Sequence, residues 1–472
     1  MRGSRAVVAT VIVAALLGAA GCGGGGDSKT VSTSTGKSTK GLAITVVDGD
    51  TRAPIPQATV SALSGNGTQV GPAVTTDSAG RAVLPLRTAV ALASTPTHSP
   101  DSRTILPGRT TATIPLYQPQ LQSPEYGGGP DRTRFVPAVD VPPPSGPPAW
   151  QYRGKALLEF PPAVARGNVV LTTNRGRILV FDARNGGVKW QKKHSESNYI
   201  ASSPAILPDE RRVIVSGMDG RLVAYELSNG RVAWEYSTGS SPIESSPLVV
   251  GDTVYVGAWN GRLYAVATGT GRPRWSFQAS DDIKGSAAQA GDLIVFGDYS
   301  GNAYGVRATD GTPVWKTKAG RRFYGGPGVA DEIAVIGDVG GAVVALQAST
   351  GKQLWRHGTG GAFVYASPAI ARGTVFIGSY SGKFEALDLK SGKVKWTFDA
   401  RGRISGSATV VGDTVYTAVL ARRGQPDRAF GLDVATGKPH WTGNDGRYSP
   451  AVGAGRTLYI VGRTTLYAYP AP

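Results

Sequence analysis

The sequence has few of the residues that build compact catalytic motifs, with one cysteine, Cys22, and four histidines in 472 residues. A single cysteine excludes an intrachain disulfide framework and any zinc or iron–sulfur site made of several cysteines. The histidines, at positions 98, 194, 357 and 440, form no H-E-x-x-H pair, and there is no G-x-S-x-G motif. These absences argue against an enzyme, although residues distant in sequence can converge in a fold.

Charged residues are also scarce, at 18% of the chain, and the acidic ones are the scarcer, with 33 Asp and Glu against 50 Lys and Arg. The net charge of +17 predicts attraction to lipid headgroups, acidic polymers or nucleic acid, and charge alone does not choose among them. By contrast, the 65 Gly and 32 Pro make up about a fifth of the chain, which disfavours helices and favours a turn-rich β protein.

The first 22 residues have the layout of a secretory signal. Arg2 and Arg5 precede an apolar stretch over 6–20, and small residues lead to Cys22. The segment resembles the lipobox of bacterial lipoproteins, in which the cysteine is acylated and becomes the mature N-terminus. The alternative is a plain secretory signal with an incidental cysteine. We expect an acyl anchor on Cys22, followed by a flexible Gly/Ser/Thr/Lys tether over 23–40.

Residues 41–117 alternate apolar and polar residues in short runs broken by Gly, Pro and Asp, which is typical of half-buried strands. The segments Val47–Thr51, Pro54–Val60 and Thr75–Gly80 resemble the carboxypeptidase regulatory-like (transthyretin-like) domain. That resemblance implies a small immunoglobulin-like β-sandwich without chemistry of its own. We interpret the Pro- and Gly-rich residues 118–140 as a linker.

A tryptophan repeat dominates the rest of the chain, with glycines four residues before each of its eight members and fourteen before six of them. Its members stand at 150, 190, 234, 275, 315, 355, 396 and 441. A period near 40, with Asn-Gly and Asp-Gly turns between short apolar runs, predicts a β-propeller whose blades have four strands each. Each Trp is expected to wedge between neighbouring blades. Residues 141–153 supply the Trp strand that the last unit lacks, so we predict an all-β, eight-bladed propeller over 141–472.

The repeats Ala345–Trp355 and Ala386–Trp396 resemble the pyrroloquinoline quinone (PQQ) propeller repeat, and Asp131–Phe135 resembles the segment leading into its first blade. The quinoprotein dehydrogenases of that superfamily hold PQQ and calcium in the central funnel, commonly beside a vicinal disulfide that this chain cannot form. The loop carboxylates are interpreted as solvated ends or turn caps rather than as calcium ligands or a general base. They are Glu244, Asp281, Asp282, Asp298 and Asp338. We predict no cofactor, with PQQ and calcium as the alternative.

Two sets of loops should emerge on one face of the propeller around the channel mouth. Mid-blade turns join the second and third strands of a blade, and inner-strand loops lead into its first strand. Aromatic and Arg side chains, the types that dominate interface hot spots, collect there. The predicted binding residues are Tyr199, Trp259, Tyr299, Arg321, Arg322, Tyr324, Tyr365, Tyr380, Arg403 and Tyr448. For Trp259 the alternative is partial burial against the adjacent loop, and the basic insertion 421–428 is interpreted as a surface feature.

The favoured hypothesis is a non-enzymatic, lipid-anchored protein on the extracytoplasmic side of the cell membrane that presents this face to a protein partner in the envelope. The anchor and fold resemble the propeller lipoprotein family of outer-membrane protein assembly. Alternatives are a PQQ-dependent dehydrogenase and a binder of acidic cell-wall polymers. No nucleic-acid partner is expected.

Overall fold

The computed structural model describes residues 41–194, 199–209, 211–420 and 427–471. The predicted signal segment with Cys22, the tether and most of the insertion 421–428 lie outside the described residues. The chain divides into two units, Met1–Pro119 and Gln120–Pro472, which are treated separately below. In the described ranges no helix is long and apolar enough to cross a membrane.

In the first unit two sheets enclose one hydrophobic core. Their strand orders are β4-β1-β7 and β3-β2-β5-β6, and Ile44, Val60 and Ile114 are fully buried between them. The strands are β1 Leu42–Asp48, β2 Thr59–Leu63, β3 Val74–Thr75, β4 Arg81–Leu84, β5 Val90–Ser94, β6 Asp101–Thr104 and β7 Thr111–Leu116. The carboxypeptidase regulatory-like assignment of this unit stays a prediction.

The second unit contains eight four-stranded sheets among the described residues, as predicted for an eight-bladed propeller. A short 3-10 helix, Pro119–Leu121, precedes them. The first four blades contain β9 Ala163–Ala165, β10 Asn168–Thr172, β11 Arg177–Asp182, β12 Val188–Lys193; β13 Ala205–Ile206, β14 Arg212–Ser216, β15 Arg221–Glu226, β16 Val232–Ser237; β17 Leu248–Val250, β18 Thr253–Gly257, β19 Arg262–Ala267, β20 Pro273–Gln278; β21 Ala288–Ala290, β22 Leu293–Gly297, β23 Asn302–Arg307, β24 Pro313–Lys318.

The remaining blades repeat this arrangement, and the all-β propeller class predicted from the sequence is confirmed. They contain β25 Gly328–Ala330, β26 Ile333–Gly337, β27 Ala342–Gln347, β28 Gln353–Gly358; β29 Ala369–Ala371, β30 Thr374–Gly378, β31 Lys383–Asp388, β32 Val394–Asp399; β33 Thr409–Val411, β34 Thr414–Val419, β35 Arg428–Asp433, β36 Pro439–Gly443; and β37 Ala451–Ala454, β38 Thr457–Val461, β39 Thr465–Pro470 with β8 Trp150–Arg153.

The eighth blade joins the two ends of the propeller. Strand β8 pairs antiparallel with β39, with Trp150 opposite Ala468 and Arg153 opposite Thr465. The outermost strand of this blade therefore comes from the start of the unit, and its other three strands come from the end. This pairing closes the ring without leaving β39 as an exposed edge.

The repeated Trp and Gly residues meet between blades. Gly351 has a φ of +71°, and a Cβ added there would lie 2.4 Å from the ring of Trp315 in the preceding blade. Trp315 also donates from Nε1 to the carbonyl of Ala348, at 2.9 Å. The same Trp–Gly contact recurs from Trp150 through Trp396. Among the described residues, seven of the eight blades thus present a left-handed glycine turn on which the indole of the preceding blade lies.

The described structure differs from the predicted linker over 118–140. Residues 121–139, the axial segment, run along the innermost strands of the blades, and those strands border the central axis. One hydrogen bond or more joins the segment to each blade in turn. The bonds connect Ser123 with Val164, Pro124 with Ile206, Glu125 with Val249, Pro130 with Gln289, Asp131 with Val329, Thr133 with Ile370, Arg134 with Val410, and Leu121 with Gly455.

The axial segment therefore gives partners to the inner strand edges, whose N–H groups face the channel in each blade. The segment forms no regular strand of its own, and its high Pro and Gly content is similar to that of a linker. Asp131–Phe135, which resembles the segment leading into the first blade of the PQQ superfamily, lies within the axial segment.

Candidate functional site

The mouth of the propeller contains a cavity of about 450 Å³. Inner-strand loops and mid-blade turns of several blades provide its walls, which are rich in tyrosine, serine and glycine. Its lining comprises Tyr126, Glu159, Phe160, Glu244, Lys284, Gly285, Ser286, Tyr299, Tyr324, Gly325, Gly326, Tyr365, Ser367, Tyr380, Ser405, Gly406, Ser407, Leu420, Tyr448 and Ser449.

Tyr126 of the axial segment forms the floor of this cavity. Its hydroxyl lies 3.4 Å from Oγ of Ser367 and 3.1 Å from Oγ of Ser407. The guanidinium carbon of Arg134 lies over the face of the ring, 3.9 Å from the ring centroid. Burial alone would raise the pKa of Tyr126. The positive charge of Arg134 and the hydrogen bonds with the two serines together have the larger, opposite effect, so the pKa lies below its ordinary value.

Serine hydroxyls tie neighbouring inner-strand loops together around the floor. Ser286 Oγ accepts from the backbone N–H of Ser246 at 2.9 Å, and Ser407 Oγ accepts from Ser367 at 2.8 Å. Ser367 in turn accepts from Gly326 at 3.0 Å. Because each bond crosses between blades, the loops that carry the site residues have fixed relative positions.

Glu244 organises one wall. Its carboxylate accepts a hydrogen bond from Trp259 Nε1 at 3.0 Å and another from the Tyr324 hydroxyl. Lys284 lies 4.0 Å from the Trp259 ring centroid and 4.4 Å from that of Tyr299. Trp259 is therefore held on its edge by a carboxylate and on its face by a cation, an arrangement that combines burial with a defined orientation.

Glu159 is a second carboxyl group of the cavity. Burial, followed by the negative charge of Glu244, raises its pKa, and Arg447 opposes this effect. Burial and the negative charge of Glu244 also raise the pKa of Tyr324, so its hydroxyl stays a donor. The cavity thus contains one carboxylate satisfied by two donors and one carboxyl group with increased proton affinity.

Aromatic rings cover the opposite wall. Tyr365 lies at ring-centroid distances of 5.1 Å from Tyr324, 4.9 Å from Tyr380 and 5.8 Å from Phe363. Phe363 is 46% exposed, and Arg403 stacks over Tyr380 at 5.7 Å. These four rings, Phe363, Tyr324, Tyr365 and Tyr380, form the aromatic patch.

The structure brings most of the predicted binding residues together. Tyr299, Tyr324, Tyr365, Tyr380 and Tyr448 line the cavity, Trp259 contacts two of its lining residues, and Arg322 and Arg403 stack on its tyrosines. Two residues do not belong to it. Tyr199, although 63% exposed, is not among the lining residues, and Arg321 packs against the turn at Gly340 and Asp338.

Two of the other carboxylates weighed from the sequence, Asp298 and Asp338, have local roles. Asp298 accepts from the N–H groups of Ser300 and Asn302 and from the Tyr304 hydroxyl, which makes it a turn cap. Asp338 caps its turn through Ala342. Glu244 was interpreted in the same way from the sequence, and this was wrong because the carboxylate faces the cavity and bonds to Trp259 and Tyr324.

Several site residues were not identified from the sequence. Phe363 lies two residues before the predicted Tyr365, and Lys284 lies two residues after Asp282, so the loop positions contained a signal for them. Glu159 and Phe160 precede the first blade in a loop with no aromatic or basic pattern. Tyr126 had no local signal, because it reaches the cavity only through the path of the axial segment.

Comparisons with known proteins place this architecture in a family. The family described as outer membrane protein assembly factor BamB matches residues 133–317 and 299–445, which together exceed half of the chain. BamB of Bordetella pertussis is 29% identical over 140 residues, which cover 27% of this chain and 36% of that protein. BamB of Yersinia pestis is 30% identical over 145 residues, with 28% and 36% covered. The chain thus spans about a third of the length of these relatives.

Solved structures share the fold. BamB from Moraxella catarrhalis matches with a TM-score of 0.58 and 16% identity over 68% of this chain and 99% of that one. The quinohemoprotein alcohol dehydrogenase ADHIIG from Pseudomonas putida HK5 matches with a TM-score of 0.63 and 14% identity over 74% and 80%. Likeness at these identities establishes architecture alone, whereas the sequence match is specific: the chain belongs to the family described as outer membrane protein assembly factor BamB.

Proposed function

We propose that this protein is a non-enzymatic, membrane-anchored scaffold of the cell envelope that binds a protein partner at the propeller mouth. The observation that carries the proposal is the aromatic patch, in which an exposed Phe363 contacts Tyr365 and Tyr380 beside the cation of Arg403. Membership of the BamB family supports the scaffold role, since relatives in that family are named outer membrane protein assembly factors.

The aromatic patch has the properties of an interface centre. Its tyrosines offer large apolar faces with polar tips, and the ring contacts hold them in place before a partner arrives. Arg322 and Arg403 lie over tyrosine rings at the rim, where a guanidinium can meet an acidic or carbonyl group of a partner. A rigid aromatic centre with a basic rim favours recognition of a folded protein surface.

The cavity does not fit a PQQ and calcium pair. Calcium requires six to eight oxygen ligands, usually several carboxylates and amide carbonyls, whereas the described lining offers Glu159 and Glu244 and no Asp, Asn or Gln side chain. The described residues contain no group of three His, Cys, Asp or Glu side chains that could hold a metal ion. The dehydrogenase alternative is tested by incubation with PQQ and calcium, where tight binding with dye reduction on alcohols or sugars would contradict the proposal.

The anchor is proposed to be an acyl group on Cys22. It rests on the lipobox-like sequence and on the cell-envelope placement of the family. Mass spectrometry of the mature protein tests it directly. An unacylated Cys22, or cleavage at another position, would remove the anchor from the proposal and leave the binding surface untouched.

Site-directed photocrosslinking tests the binding surface. A photoreactive residue at Phe363 should crosslink one defined protein in intact cells, because this ring is the exposed member of the aromatic patch. Val314 provides the matched control, since it is 43% exposed on the outermost strand of the fourth blade. Equal crosslinking from both positions would contradict the proposal.

Affinity measurements extend the test once the crosslinked protein is identified. Phe363→Ala should weaken its binding about tenfold or more, as for a central aromatic contact, while Val314→Ala should leave it unchanged. A crosslinked species that resists protease, and whose yield falls when the salt concentration is raised before irradiation, would instead identify an acidic polymer.

A further inference from the structure

Arg134 is a buried cation with no counter-ion among the described residues. It is 2% exposed, and its Nε and Nη2 atoms have no hydrogen-bond partner. The nearest described group opposite its charge is the face of Tyr126, 3.9 Å away. A cation–π contact compensates part of the charge, but it leaves Nε and Nη2 without an acceptor.

The neighbouring arginine of the axial segment is different in each respect. Arg132 donates from Nε to the Ala287 carbonyl at 3.1 Å and from Nη2 to the Pro247 carbonyl at 2.8 Å. Its Nη1 lies 3.3 Å from Oε2 of Glu125. Arg132 is therefore both paired and hydrogen-bonded, and it uses the one buried carboxylate that could have served Arg134.

Glu125 has no further capacity to neutralise a second guanidinium. Its Oε2 also accepts from the N–H of Val249 at 3.0 Å, and burial raises its pKa against the attraction of Arg132. Two guanidinium groups thus share at most one negative charge. An uncompensated charge at this depth is strongly destabilising, so a negative charge beside Arg134 would stabilise the fold.

A small cavity adjoins Arg134. It has about 20 Å³ of room, close to what one water-sized guest requires. Ser123, Thr409 and the glycines at 127, 128 and 453 contribute to its walls, together with Glu125 and apolar side chains. This room is of the size that a single water molecule or monatomic ion occupies.

We propose that Arg134 binds one small monovalent anion of the chloride type in this cavity. The anion accepts hydrogen bonds from the unpartnered guanidinium nitrogens and restores charge balance behind the cavity floor. It also holds the axial segment where that segment passes the seventh and eighth blades. This site is independent of the proposed partner binding, because none of the residues that line the small cavity lines the cavity at the mouth.

Bromide provides a direct test in the full chain. Protein refolded and crystallised in sodium bromide should give an anomalous peak within hydrogen-bonding distance of Arg134 Nε and Nη2. An ordered water without anomalous signal at that position would overturn the proposal. A peak at Arg134 that is absent at the exposed Arg322 separates a built site from an adventitious ion only.

Halide-dependent stability is the second test. After refolding at constant ionic strength, the Tm should increase with chloride until it saturates, relative to gluconate, because a ligand bound only by the folded state stabilises it. Arg134→Met should abolish this increase, and Arg322→Met should retain it. Equal Tm values in chloride and gluconate for the unmodified chain would contradict a bound anion, whether or not Arg134→Met folds.

The alternative counter-charge is an ionised Tyr126, which the test must separate from an anion. A tyrosinate would absorb near 295 nm at neutral pH and lose that absorption in Tyr126→Phe. The proposal expects no such band, together with an unchanged chloride response in Tyr126→Phe. A tyrosinate band in the unmodified protein would overturn it.

Discussion

At the scale of single residues, two carboxyl groups of the propeller have environments that shift their pKa values in opposite directions. Glu159 is desolvated and lies near Glu244, so its pKa is raised. Glu235, on the outermost strand of the second blade, receives hydrogen bonds from Arg221 at 2.7 and 2.6 Å, and these lower its pKa. The two residues therefore provide a matched pair for measuring how burial and pairing affect stability.

We predict that Glu159→Gln stabilises the protein at neutral pH. A raised pKa means that the folded state binds the proton more tightly than the unfolded state, so stability falls as pH rises above the unfolded value of about 4.3. Because glutamine carries no charge, Glu159→Gln removes this loss of stability. Its advantage over the unmodified protein should disappear below a pH of about 4.3. Thermal unfolding of both proteins across pH 3 to 8, roughly spanning the titration, measures the difference.

Glu235→Gln should show the reverse. Its carboxylate stabilises the folded state above the unfolded pKa, and that contribution is lost as pH falls through the lowered folded pKa. The variant should be the less stable protein at neutral pH and equal to the unmodified chain in acid. Parallel pH profiles for the two variants would show that the environment of Glu159 is not as described.

At the scale of the element, the recurring device is the contact between a tryptophan strand and the glycine turn of the next blade. The sequence predicted both the period and the wedge, because turn chemistry and hydrophobic alternation are local properties. It did not distinguish the members of the series. Gly146 stands four residues before Trp150, as Gly351 stands four residues before Trp355. A Cβ added at Gly146 would nevertheless have no atom within 4 Å.

We predict that Gly351→Ala is destabilising by about 1–3 kcal/mol, since the residue needs positive φ and its new Cβ would meet the Trp315 ring. Gly146→Ala should stay within about 0.5 kcal/mol of the unmodified protein. Chemical unfolding of the two variants provides the comparison. Equal losses would mean that the spacing, rather than the interblade contact, determines the role of these glycines.

At the scale of the whole molecule, the axial segment connects all the blades and supplies the cavity floor. Its contacts join residues distant in sequence mainly through backbone atoms, whose partners no side-chain pattern specifies. This is why composition indicated a linker for a segment that is packed in place. For the same reason the aromatic walls of the cavity could be predicted from their loop positions, whereas the Tyr126 floor could not.

We predict that Arg132→Met weakens the propeller by about 3–5 kcal/mol, because it leaves Glu125 as an unpaired buried charge and removes links to two blades. Arg132→Met with Glu125→Gln should recover part of this loss, since the orphaned charge is then absent. The midpoint of chemical unfolding measures both. No recovery in the double variant would indicate that the hydrogen bonds to the blades, rather than the ion pair, dominate.

The axial segment also has a consequence for the order of folding. It precedes every blade in the chain, yet its partners extend from Val164 to Gly455. During synthesis it emerges first and cannot complete its contacts until the last blade exists. The axial segment therefore docks fully only after the ring is complete. The inner-strand amides that it binds, such as those of Val164 and Ile370, should become protected from hydrogen exchange together, in the final step of folding.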